Sequence, residues 1–345
     1  MLNTRELEIL NFLQHKPGSS SKEIYDNLTS GISYATVKRS LAQLSSDKLL
    51  FAKGQGKGTK YFVSSAFELL QSIDIDKYYQ KEIDERTIKA DFNFGVFEIL
   101  TENDILNERE LLKLSNLQNK FANNISQLTE VEYKNELERL AIDLSWKSSQ
   151  IEGNTYSLLE TERLLREKET AAGKTKEEAI MLLNHKDAID FIVENSDYLI
   201  PLSVSKIEDI HSILIKELGI DKNLRKRRVG ISGTNYRPLD NEFQILEVLN
   251  KTCEIVNKKE NVFEKTLLTL VLISYIQPFM DGNKRTARIV SNAILMNYKH
   301  CPISFRTVDS VDYKKAMLLF YEQNNISRFK EIFINQFEFA VNTYF

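Results

Sequence analysis

Gln277-Pro278-Phe279-Met280-Asp281-Gly282-Asn283-Lys284-Arg285-Thr286-Ala287-Arg288 is the stretch on which the reading of this chain turns. It follows the most apolar run of the sequence and leads into a helix predicted over Ile289 to Tyr298. Asp, Gly and Asn ahead of a helix N-terminus aim several backbone N–H groups at one spot, where the helix dipole also favours negative charge. Arg285 and Arg288 are three apart, so they leave one face of the first turns and reach the same anion. Asp281 beside them is placed to hold Mg²⁺ against phosphate oxygens. On physical grounds this is a phosphate or nucleotide site.

The apolar run before it, Thr266 to Met280, holds 15 residues and contains Ser, Tyr, Gln and Pro. A membrane span needs about 20 apolar residues, so the run reads as a buried helix entering a loop, and no membrane partner is expected. Patterns of period 3.6 predict helices over Leu137 to Lys147, Leu158 to Glu167, Glu177 to Asn195, Val204 to Leu218, Gln244 to Lys258 and Phe263 to Tyr275. With 12 glycines and 5 prolines in 345 residues, long helices and few turns are expected. Cys253 and Cys301 are the only cysteines, and neither sits at metal-ligand spacing from a His, which argues against a disulfide scaffold or structural zinc. The start of the chain has no basic stretch followed by an apolar core, so a soluble, cytoplasmic protein is expected.

The formal net charge of −3 conceals unlike parts. Residues 1–65 carry seven Lys and two Arg against two Asp and three Glu, a net +4, which leaves −7 for the remainder. Asn3 with Glu6, and Ser20 with Glu23, form capping boxes ahead of apolar helical faces. A third helix starts after Ser33, with Val37, Leu41 and Leu44 on one side. Leu49 to Ala52 and Lys60 to Val63 read as short strands around Lys53-Gly54-Gln55-Gly56-Lys57-Gly58-Thr59. Three helices and a basic, Gly-rich hairpin resemble a winged helix-turn-helix. In that frame Lys53, Lys57 and Lys60 meet phosphates, while Tyr34, Thr36, Lys38, Arg39, Ser40 and Gln43 lie off the apolar face of the third helix, facing a major groove. Such domains also serve as protein-interaction modules. Residues 66–130 read as a charged helical connector packed on the main domain, with joints at Asp74 to Tyr79 and Asp91 to Gly95 and no chemistry of its own. Residues 131–345 read as the main helical domain.

The Gln277–Arg288 segment resembles the signature of the Fic family, His-Pro-Phe-x-Asp-Gly-Asn-Gly-Arg-x-x-Arg. Enzymes of that family mostly transfer AMP from ATP to a hydroxyl of a target protein. The resemblance implies Mg²⁺ on Asp281, an anion nest from Gly282 and Asn283, and a polyphosphate tail held by Arg285 and Arg288. Two positions depart from it. Gln277 stands where the family has the His that takes the proton from the attacking hydroxyl, and a carboxamide has no useful basicity. Lys284 replaces the second nest glycine, as in the Doc-like branch, where the nucleotide can be turned round and a phosphate passed on. His15, His185, His211 and His300 lie outside the motif, and His211 reads as a packed helix residue rather than a catalyst.

Upstream, Ser148-Ser149-Gln150-Ile151-Glu152-Gly153-Asn154 resembles the family's inhibitory motif. Ser148 and Glu152 share a helix face, Gly153 suits a helix C-terminus, and Ser157 with Glu160 opens the next helix. By resemblance Glu152 pairs with Arg288 and displaces the arginine that should hold the γ-phosphate. Leu224 to Pro238, with Val229, Gly230, Ile231, Ser232 and Gly233 at its centre, predicts a short hairpin and resembles the family's flap, which docks a target segment by strand addition. The alternative is that Arg225 to Arg228 is a solvated charge run or a second nucleic-acid contact. The fold expected is therefore mainly α, an all-helical Fic core over about 204–342 with a β-hairpin flap and a small α+β winged-helix domain. The resemblance implies ATP and Mg²⁺ as ligands, a target protein, DNA at residues 1–65 and a homodimer. Two functions compete: an autoinhibited protein adenylyltransferase, and an inactive Fic domain acting as a nucleotide-sensing DNA-binding regulator. Hydrolytic removal of AMP, with Glu152 orienting water, is a third that also lacks the His.

Overall fold

A computed structural model describes residues 2–29 and 31–345; the Lys57 side chain lies outside the described residues. Among them, helices α1 (Thr4–His15), α2 (Ser21–Asn27) and α3 (Tyr34–Ser46) begin the fold, and Asn3, Ser20 and Ser33 each cap one through the side chain. Strands β1 (Leu50–Lys53) and β2 (Lys60–Val63) pair antiparallel, Leu50 opposite Val63 and Lys53 opposite Lys60. Ile9, Leu10, Leu13, Ile24, Val37, Leu41 and Leu44 are buried beneath them. Ser40, expected on the reading face of α3, is buried instead, because it adjoins the apolar stripe of Val37, Leu41 and Leu44.

Next come α4 (Phe67–Leu70), α5 (Ile75–Tyr79), α6 (Gly95–Glu102) and α7 (Glu108–Ile125). Asp74 to Tyr79, expected as a joint, is a short helix capped by Asp74. This connector is stitched to the body. The N–H groups of Ile105 and Leu106 donate to buried Glu264 at 2.7 and 2.9 Å, and Ile326 N–H donates to the Leu69 carbonyl at 2.8 Å. The body comprises α8 (Glu130–Ile151), α9 (Leu158–Glu167), α10 (Lys176–Glu194), α11 (Val204–Leu214), α12 (Glu242–Lys258), α13 (Val262–Ile276), α14 (Asn283–Asn297), α15 (Ser310–Gln323) and α16 (Ser327–Thr343). Helix α13 is buried from Phe263 to Ile276, as an all-round apolar helix must be. Helix α14 packs on it, and α8, α10, α11 and α15 surround the pair. No helix among the described residues is long and apolar enough to cross a membrane.

Further expectations need correction. Helix α14 begins at Asn283 rather than Ile289, because Gly282, at φ +80°, turns the chain directly into its first turn. The hairpin expected over Leu224 to Pro238 does not form; the two-stranded sheet β1–β2 is the only sheet among the described residues. Its ends are engaged elsewhere: Arg225 N–H donates to the Pro278 carbonyl at 3.0 Å and Arg237 N–H to the Ala90 carbonyl at 2.7 Å. With both ends tied to other elements, the segment runs as an extended loop. Arg225, which the alternative reading placed in a solvated charge run, is buried, and its guanidinium donates to the carbonyls of Ile276, Gln277 and Arg227. Two carbonyl acceptors at the C-terminal end of α13, those of Ile276 and Gln277, reward a cation there.

Candidate functional site

The loop between α13 and α14 is built by its own side chains. Gln277 terminates α13 in the left-handed region, at φ 51°. Asn283 closes the loop: its Oδ1 accepts from Phe279 N–H at 2.8 Å, and its Nδ2 donates to the Phe279 carbonyl at 2.8 Å and to Gln277 Oε1 at 3.1 Å. His211 of α11 lies flat on Phe279, with ring centroids 3.6 Å apart, and its Nε2 donates to the Asp281 carbonyl at 3.0 Å. A Cβ at Gly282 would meet that imidazole at 3.4 Å. The backbone at the start of α14 is thus fixed, and no side chain caps it. Its first N–H groups are open to an anion.

A cleft of about 340 Å³ opens over this turn. Its walls are Val229 to Ser232, the end of α8 at Ile151 and Glu152, the Gln277–Lys284 loop, and Lys314, Met317, Leu318 and Tyr321 of α15. Lys314 is exposed at its rim.

Charge gathers on one side of the cleft. Arg288 is fully buried; its Nε donates to Ser148 Oγ at 2.7 Å, its Nη2 to the Ser148 carbonyl at 3.0 Å and to Glu152 Oε1 at 2.8 Å. Lys284 Nζ meets the other Glu152 oxygen at 3.3 Å. Glu152 ends α8, and Gly153, at φ +102°, turns the chain away. Burial works to raise the Glu152 carboxyl, but Arg288 and Lys284 outweigh it and hold the group down to about 2. Because the folded value lies below the ordinary 4.5, the pairing is complete above the usual carboxylate range and is lost as pH falls through about 2. Acid unfolding is therefore expected to begin at higher pH in wild type than in Glu152→Gln, relative to each protein's neutral stability. Identical acid profiles would remove the pairing from the account.

Arg285 is 1% exposed, touches Asp281 Oδ2 at 3.2 Å through Nη2, and has no protein partner for Nε and Nη1. Arg288 Nη1 is likewise unpartnered. Buried guanidinium donors without acceptors call for an oxyanion. Among the described residues no cluster of three or more metal-ligating side chains occurs. Asp281 alone, well exposed at the cleft, suits a Mg²⁺ carried in by phosphate oxygens, an ion commonly held by one or two carboxylates plus substrate.

Gln277 is locked. Its Nε2 donates to the Ser274 carbonyl at 2.7 Å and to Tyr321 Oη at 3.2 Å, while its Oε1 accepts from Asn283. Burial keeps His211 neutral, below its ordinary value, and its Nε2 proton is spent on Asp281. Burial and the nearby Arg288 and Arg285 push His185 well below its ordinary value too. Tyr321, buried and raised far above 10, is no base either.

Sequence reasoning missed the positioning roles of His211, Tyr321 and Arg225, and the cleft-lining Lys314. His211 was legible only as one polar residue on an apolar helix face, and Arg225 as one of a charge run. In the N-terminal unit, Lys38 and Arg39 are exposed on α3. Gln43 is drawn off by Asp47 at 2.7 Å and Arg109 at 2.9 Å, Lys53 lies over the stacked rings of Phe51 and Phe62, and Lys60 pairs with Glu23 at 2.9 Å.

A helical body with an uncapped helix N-terminus, buried arginines with unpartnered donors and a cleft above them is an arrangement suited to phosphate groups. Residues 201–295 match the model of the Fic/DOC family, so the chain carries a Fic domain. It is 30% identical over 178 residues to a protein adenylyltransferase Fic of Nematostella vectensis, covering 49% of this chain and 40% of that protein. The counterpart of Aedes aegypti is 26% identical over 162 residues, covering 44% of this chain and 32% of that one. The matches thus span less than half the length of these relatives. In fold the chain is similar to Fic-1 from C. elegans, with a TM-score of 0.57 and 18% identity over 68% of this chain and 70% of that one. A Fic-domain signalling protein from Bacteroides thetaiotaomicron gives 0.57 and 19%, over 67% and 95%. The expected mainly helical fold is the one observed.

Proposed function

We propose that this is a nucleotide-binding Fic protein, derived from adenylyltransferases that pass AMP from ATP to a protein hydroxyl, and held shut by Glu152. The cleft seats the nucleotide. The N–H groups of Asn283 and Lys284 and the free edge of Arg285 take its phosphates, joined by Arg288 once Glu152 lets go, and Asp281 would hold a Mg²⁺ that neutralises them. The ion supplies charge neutralisation at the phosphates; the rest falls to side chains. Ser148 and Glu152 occupy Arg288 and so withhold it from the tail. Val229 to Gly233, along the cleft wall, offers backbone to an extended target segment even without a hairpin.

The single observation that carries this reading is the state of Gln277. Its amide is satisfied at both ends, and His211, His185 and Tyr321 supply no imidazole or phenolate base in its place. Removing a general base typically costs about 10²–10⁴ in rate, so retention of ligand with little transfer is the expected behaviour. Titration with ATP·Mg²⁺ tests it directly: saturable binding with negligible AMP transfer supports the reading, and brisk transfer by the wild type would overturn it.

The same observation favours a second reading, in which nucleotide occupancy is signalled through residues 1–65 to DNA. Exposed Lys38 and Arg39, the Lys53 and Lys60 side of the hairpin and the +4 charge of this unit support it. Binding to duplex DNA is expected to weaken on changing Lys53, Lys57 and Lys60 to Ala. The slope of log affinity against log salt should flatten by about 0.9 for each lysine that meets a phosphate. Absence of DNA binding at low salt would leave the unit as a protein-interaction module.

A further inference from the structure

The connector holds a buried cation that no catalytic reading uses. Arg86 is 4% and Glu322 0% exposed in their side chains; Arg86 Nη1 contacts both Glu322 oxygens, at 3.0 and 3.2 Å. Tyr78 Oη donates to Glu322 Oε2 at 2.7 Å, and Lys89 N–H donates to the Glu322 carbonyl at 2.8 Å. The remaining edge of the guanidinium reaches across: Arg86 Nη2 donates to the Gly233 carbonyl at 2.8 Å.

Gly233 is the residue that follows the Val229–Ser232 wall of the cleft. It has φ +89°, and a Cβ there would stand 3.3 Å from Leu318 Cδ1. Leu318 is itself a cleft wall, as are Lys314, Met317 and Tyr321 of the same helix. Glu322 adjoins Tyr321 but is turned to the connector. One guanidinium therefore grips both walls at once, α15 through Glu322 and the loop through Gly233. Neighbouring contacts repeat the pattern: Asn235 Nδ2 donates to Asp84 at 2.9 Å, and Arg237 pairs with Asp91 at 2.8 Å. The geometry requires glycine, since a side chain at φ +89° is strained and would also press on Leu318.

We infer that Arg86 is a positioning residue for the cleft. By joining Glu322 to the Gly233 carbonyl it sets the spacing between the Val229–Ser232 wall and α15, and so makes the connector part of the binding site. What that spacing serves rests on the nucleotide-binding reading above; the positioning itself does not. A lysine could keep the charge against Glu322, but it lacks the planar fork that reaches a second acceptor. An apolar pair could fill the same volume without loss of fold, since buried ion pairs replaced together by apolar residues are often tolerated.

The test uses a nitroxide at Ser232→Cys, which labels selectively because Cys253 and Cys301 are buried. In the full chain, the label's electron paramagnetic resonance spectrum is expected to show a several-fold faster motion in Arg86→Lys and in Arg86→Met/Glu322→Met than in the parent. The melting temperature should stay close to the parent in the double variant. In a Glu152→Gly background without the label, both changes should also weaken ATP·Mg²⁺ binding several-fold by calorimetry. An unchanged label spectrum in whichever of the two variants folds overturns the proposal, because it would make the pair a stability element only. Should Glu152→Gly itself bind no ATP, the nucleotide reading falls while the label still decides the role of Arg86.

Discussion

Glu152→Gly is expected to raise the affinity for ATP·Mg²⁺ by about ten- to a hundredfold over wild type, measured by calorimetry. In the closed state Glu152 holds Arg288 at 2.8 Å and Lys284 at 3.3 Å. A hydrogen bond to a charged group contributes about 1.5–3 kcal/mol, and that contribution must be surrendered before Arg288 can meet a phosphate. Deleting the carboxylate also removes a negative charge from beside the triphosphate. The same change should lower stability without nucleotide, since it leaves a fully buried guanidinium hydrogen-bonded to Ser148 alone, over the Tyr313 ring. Adding ATP should then restore the melting temperature, because ligand bound only to the folded state stabilises it by mass action. The two signs together separate inhibition from simple damage. A variant that is less stable and binds no better would end the inhibitory assignment.

Gln277→His combined with Glu152→Gly is expected to produce autolabelling from α-labelled ATP at least about 10²-fold above Glu152→Gly alone. The present side chain is held by Ser274, Tyr321 and Asn283. An imidazole there would keep a donor toward Ser274 or Tyr321 and turn a basic nitrogen to the cleft. The gain should show as transfer rate, with ATP affinity little altered, since Gln277 contributes no phosphate donor. Equal labelling by Glu152→Gly alone would mean that Gln277 is not the defect. γ-label appearing instead of α-label would mean that Lys284 seats the nucleotide in the opposite sense.

The site was legible in unequal degrees. Short-range spacing carried much of it: Asp281 to Arg288 lie within two turns, and a glycine and an asparagine before a helix specify an open N-terminus almost by themselves. Ser148, Glu152 and Gly153 were legible only through their resemblance to the family's inhibitory motif, since a glutamate near a helix end is by itself most often solvated surface. The hairpin at Leu224 to Pro238 was not, because alternation of Val229 and Ile231 describes only a tendency to be extended. Whether extended segments pair depends on what their ends bind, and Arg225 and Arg237 are taken by Pro278 and Ala90. Tertiary contacts likewise decided the third helix: Ser40 lies against the core rather than on the expected reading face, and Gln43 is bonded to Arg109, which is remote in sequence.

By itself the sequence determined the helical character, the caps, the apolar run within α13 and the glycine turn at Gly282 ahead of a helix. Those follow from propensities and contacts within a few residues, where backbone geometry leaves little choice. Only the tertiary structure decided who meets whom. Arg288 finds Glu152, His211 finds Asp281, Tyr321 finds Gln277 and Arg86 finds both Glu322 and Gly233. Each of these pairs joins distant helices or loops, and its energy depends on burial and on competing partners, which exist only once the bundle has closed.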